Sequence, residues 1–88
     1  MRATRDMTAS SLVKRSLALS GHRTSVALEQ EFWDALDALA ATRGQTLIAL
    51  VAAEDAARDP ARSLASALRV LALNTAAARH EQPIPSQM

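Results

Sequence analysis

The stretch SGHRTSVALEQEFWDAL, residues 20–36, decides how this chain is read. Its first part alternates. Thr24, Val26 and Leu28 point to one face, and Arg23, Ser25 and Ala27 to the other, the period-2 pattern of a half-buried strand. At Glu29 the rhythm changes. Phe32, Leu36, Leu39, Ala40 and Arg43 recur at helical spacing, with Glu31, Asp34, Asp37 and Ala41 opposite. Acidic residues in the first turns suit the positive end of a helix dipole. Trp33 lies at the border of the apolar stripe, where partial burial is expected. This helix is expected from about 30 to 42. Arg43-Gly44 closes it, because glycine readily takes the left-handed position after a helix end.

Downstream, Thr46 is a candidate N-cap for a second helix running to about Arg58, with Leu47, Leu50 and Val51 as its stripe. Glu54 falls on that stripe, and a pair with Arg58 at i+4 accounts for it. Asp59-Pro60 breaks the chain, and Ser63 caps a third helix to about Arg79. Leu64, Ala67, Leu68, Leu71 and Thr75 share one face of it, while Val70 and Leu73 lie on others. A helix apolar on several flanks wants burial on several sides, more than a small monomer supplies. Upstream, residues 12–19, LVKRSLAL, have two readings. Leu17 and Leu19 alternate with Ser16 and Ala18, which suits a strand turning at Ser20-Gly21. Lys14 and Arg15 equally suit a basic arm. Both readings stay open, with the arm taken first. Residues 1–13 are expected to be disordered, and 79–88, with the proline-broken HEQPIPSQM, to form a loose tail.

Eighty-eight residues make one small domain. There is no cysteine, and His22 and His80 are isolated, so no metal site and no disulfide framework is expected. No apolar run approaches the roughly 20 residues of a membrane span, and the N-terminus lacks a secretory pattern, which makes a cytoplasmic protein the default. The charge is uneven. Residues 1–25 carry five cations against Asp6, residues 26–59 carry seven acids against Arg43 and Arg58, and residues 60–88 carry three arginines against Glu81. A basic leading segment is compatible with nucleic-acid binding. No Gly-rich phosphate loop, nucleophile–base motif or cofactor motif occurs, so an enzyme is not expected.

Strand, helix, Gly turn and helix follow each other at spacings that resemble the ribbon-helix-helix family of bacterial and phage DNA-binding proteins. The residues that carry the resemblance are RTSVALEQEFWDALDALAATRGQTLIALV. The run 14–73 is most similar to a subgroup of small bacterial ribbon-helix-helix proteins in which GHRTSV, a Glu-Phe-Trp helix start and SALRV occur together. The resemblance implies a mainly α fold with one short β-strand per chain, arranged as an intertwined homodimer. Two chains would pair their strands as a two-stranded antiparallel ribbon, and residues 14–78 would form the domain with its added C-terminal helix.

The family inserts that ribbon into the major groove of double-stranded DNA. Arg23, Ser25 and Ala27 are then the implied base-reading residues. Arg23 can pair with guanine, Ser25 can donate or accept, and Ala27 offers a methyl for thymine. Backbone N–H groups around Thr46 and Leu47 are implied phosphate contacts, joined by Lys14, Arg15 and His22. Ile48 departs from the family, which commonly has a small polar residue there. The shared dimer core would hold Thr24, Val26, Leu28, Phe32, Leu36, Leu39, Leu47, Val51, Leu68 and Leu71. A transcriptional regulator or an antitoxin paired with a toxin protein fits this reading. A dimeric protein-interaction module without DNA binding is the alternative.

Overall fold

The computed structural model describes residues 12–81, with side chains through residue 78. The expectations for residues 1–11 and for the end of the tail lie outside the described residues. The chain runs β1 (Leu12–Leu19), β2 (His22–Glu29), α1 (Gln30–Thr42), α2 (Leu47–Ala57) and α3 (Leu64–Glu81).

Two strands, not one, open the fold. β1 pairs antiparallel with β2 from Leu12↔Glu29 to Leu19↔His22. The expectation of one short strand per chain preceded by a basic arm is therefore corrected. The partner of the strand at 22–29 lies in the same chain. The cause is local. Ser20 and Gly21 both hold positive φ, at 47° and 87°, the conformation that lets a two-residue loop follow the right-handed twist of a hairpin. The alternation of residues 12–19 then puts Leu17 and Leu19 on the face already occupied by Val26 and Leu28, and all four are buried. A basic arm would have left those two leucines in water.

The helices lie against the inner face of this hairpin. α1 and α3 pack on β2, α2 packs on β1, and the three helices pack on one another. The core runs through all five elements, from Leu17 and Leu28 through Leu36 and Leu50 to Leu68. Phe32 and Trp33 exchange the places expected of them. Trp33 is fully buried and Phe32 only partly, because β1 covers the Trp33 side of α1. The Trp33 indole Nε1–H donates to the carbonyl of Val13 at 2.8 Å, so the buried ring keeps its polar atom satisfied.

The helix ends follow the sequence closely. After α1, Gln45 N–H donates to Ala40 O and Gly44 N–H to Ala41 O, the paired bonds of a Schellman ending, with Gly44 at φ +67°. Thr46 caps α2 by accepting from Ala49 N–H at 3.0 Å, and Ser63 caps α3 by accepting from Ser66 N–H at 3.1 Å. Arg58 does not pair with Glu54. It binds Asp55 at 2.8 Å and donates to the carbonyl of Arg62, which fastens the loop between α2 and α3.

Candidate nucleic-acid interface

The pleat sorts the hairpin residues into two faces. Val13, Arg15, Leu17 and Leu19 of β1 stand opposite Leu28, Val26, Thr24 and His22 on the inner side. On the outer side Lys14 stands opposite Ala27, Ser16 opposite Ser25, and Ala18 opposite Arg23. Five of these six outer residues are exposed and Ala27 is half-buried. The Arg23 guanidinium lies across the strands, donating to Ser16 Oγ at 3.4 Å.

Arg23, Ser25 and Ala27 thus share one open face, as their spacing implied, and Lys14 joins them there. Leu12 and Glu29 stand at the end of this face away from the turn. Ser16 and Ala18 also lie on it and were not anticipated as contacts. Their signal was present in the sequence: they hold the same phase as Lys14 in the alternation of residues 12–19.

Arg15 points the other way. Its guanidinium stacks on the Trp33 ring at 4.6 Å from the centroid and meets Asp37 at 3.4 Å. Arg15 is engaged in holding β1 to α1, on the side away from Lys14 and Arg23. His22 is exposed beside the hairpin turn. Thr46 is exposed and Leu47 half-buried at the start of α2. The Thr46 hydroxyl is committed to Ala49 N–H, which leaves the N–H groups of Leu47 and Ile48 among the first-turn donors that an α-helix does not satisfy internally. Ile48 itself is 39% exposed.

The residues implied as a dimer core sit in the core of a single chain. Val26, Leu28, Leu36, Leu39, Val51 and Leu68 are buried in it. Phe32, Leu47 and Leu71 pack against it, and Thr24 is half-buried. Arg69 links α3 to the end of β2 by an ion pair with Glu29 at 3.1 Å, its guanidinium 5.9 Å from the Phe32 centroid. The Glu29 carboxyl is held below its ordinary pKa of 4.5, first by a hydrogen bond to its own backbone N–H and then by Arg69.

Elsewhere an open groove of about 330 Å³ runs between the end of α2 and α3, bordered by Glu54, Arg58, Arg62, Leu71 and Asn74. Among the described residues no three His, Cys, Asp or Glu side chains gather as a metal site would require, and no helix is long and apolar enough to cross a membrane.

No curated protein and no solved structure matches the chain. The family model for the ribbon-helix-helix domain matches residues 12–76, which takes in both strands, α1, α2 and most of α3. Ribbon-helix-helix domains are generally those of DNA-binding regulators. By this match the chain belongs to the ribbon-helix-helix domain family.

Proposed function

We propose that this chain binds double-stranded DNA sequence-specifically, as a transcriptional regulator or an antitoxin, by placing the outer face of the β1–β2 hairpin in the major groove. One observation carries the reading. The hairpin has one face filled by the core and another that is open, with Lys14, Ser16, Ser25 and Arg23 on it and with Leu12 and Glu29 at the end away from the turn. The major groove of B-DNA is wide enough for a two-stranded ribbon. The low relief of Ser16, Ala18, Ser25 and Ala27 between the two cations allows close approach. The free first-turn N–H groups of Leu47 and Ile48, at the positive end of the α2 dipole, supply the phosphate contact.

The homodimer expected from an unpaired strand is no longer demanded by that strand, because β1 satisfies one edge of β2 within the chain. Val70 and Leu73 of α3 remain exposed, Leu73 by 61%. They are the surface that a second chain or a toxin would cover, and they favour a second reading as a protein-interaction module. Fluorescence anisotropy with random and genomic duplexes separates the two. The DNA reading expects binding at about 50 mM salt that weakens steeply as salt rises. Absence of binding at that salt overturns it, since the electrostatic contribution is strongest there.

A further inference from the structure

The two strands of the hairpin are near-copies. Residues 14–19 read KRSLAL and residues 23–28 read RTSVAL, nine positions apart. The observed register puts this repeat to structural use. Pairing brings Ser16 opposite Ser25, and these two residues are themselves nine apart. A two-fold axis through that pair, perpendicular to the sheet, therefore carries every residue of one strand onto its repeat in the other. It exchanges Lys14 with Arg23, Ser16 with Ser25, and Ala18 with Ala27 on the outer face. On the inner face it exchanges Leu17 with Val26 and Leu19 with Leu28.

The inner matches have a plain cause, since all four residues fill the core. The outer matches do not. An exposed strand face makes no packing demand that would repeat cation, serine and alanine in order. Alanine is moreover depleted in strands, so a preference for sheet does not explain Ala18 and Ala27. The symmetry fails where the helices intrude. Arg15, which stacks on Trp33, is exchanged with Thr24. On the outer face the symmetry holds over Lys14–Ala18 and Arg23–Ala27, and ends beyond them, where Leu12 and Glu29 fall on Gly21 and Ser20 of the turn.

We infer that a single chain carries both halves of a two-fold-symmetric DNA-reading ribbon. Lys14 and Arg23 stand at equivalent corners, and the ribbon is matched to a two-fold-related pair of base contacts in one stretch of major groove. This rests on the DNA-binding reading above and adds that β1 reads bases on equal terms with β2. A cation at each corner fits an acceptor pair such as guanine O6 and N7 at each end of the site. The Ser16/Ser25 pair then lies over the centre.

The test is selection of bound duplexes from a random pool with the wild-type chain and with Lys14→Ala, Arg23→Ala and Lys14→Arg. All three variants alter exposed side chains, and circular dichroism melting checks that each stays folded. The wild-type site is expected to be two-fold symmetric at its ends. Lys14→Ala and Arg23→Ala should each weaken binding roughly ten-fold and relax base preference at opposite ends. Lys14→Arg should sharpen the symmetry of the selected site. Should Lys14→Ala bind and select as the wild type does while Arg23→Ala fails, β2 alone reads bases. That outcome overturns this inference and leaves DNA binding standing. Failure of the wild-type chain to bind any duplex overturns both.

Discussion

Ser20 holds φ +47°, a conformation in which an L side chain crowds the following carbonyl. It is tolerated because the hairpin needs positive φ at both loop positions, and Gly21 supplies only the second. Asparagine enters this region more readily than serine. Ser20→Asn should therefore stabilise the fold by up to about 1 kcal/mol, read as a higher urea midpoint; a loss of stability would contradict the turn described here. Trp33 is a second residue whose role depends on β1. Its ring is buried, and its indole N–H donates to the carbonyl of Val13. Trp33→Phe keeps most of the apolar surface and removes one of two donors to that carbonyl, which keeps its ladder bond from Leu28 N–H. The expected cost is about 1 kcal/mol in chemical denaturation. A neutral result would show that the indole hydrogen bond adds nothing to the ladder bond.

The elements are fastened at their ends. Glu29 closes β2 and pairs with Arg69 of α3, so the last strand residue and the last helix are held together in front of Phe32. Because the folded Glu29 carboxyl titrates below its ordinary 4.5, its contribution is present above that pH. It is lost as pH falls from 4.5 through the lowered value. Stability measured for the wild type and for Glu29→Gln should differ at pH 7, and the difference should shrink towards pH 3. A gap that stays constant across that range would show that the carboxylate is not the stabilising form. Arg15 fastens β1 to α1 in the same manner, with Asp37 and the Trp33 ring as its partners. Such half-exposed contacts are each worth about 1 kcal/mol or less, so they position β1 more than they stabilise it.

For the molecule as a whole, one cluster joins both strands to all three helices. Val26 sits in it at 4% exposure. Val26→Asp should unfold the chain at neutral pH, because a carboxylate cannot be buried there without a partner. A folded variant with native circular dichroism would show that the inner face is open to water. The same closure bears on assembly. A core completed within one chain gives a melting temperature independent of protein concentration, whereas a fold that exists only as a dimer melts higher as concentration rises. Scanning calorimetry over a hundred-fold range of concentration is expected to show no shift.

The residues of 20–36 were enough to identify the strand, the helix that follows, and the split between core and open faces, because each rests on local periodicity. The Gly44 ending and the Thr46 and Ser63 caps were legible for the same reason: they are settled within a few residues of chain. The ribbon-helix-helix order followed from those elements in sequence. What periodicity could not settle was the partner of β2. LVKRSLAL carries both an alternating pattern and two adjacent cations, and a strand's hydrogen bonds can be met equally well by a neighbour in the chain or by another molecule. The tertiary structure decided for the hairpin, since only there do Leu17, Leu19 and the Trp33 indole all leave water together. That choice turned Arg15 inward to Trp33 and brought Ser16 and Ala18 beside Ser25 and Arg23, so that the open face is built from both strands.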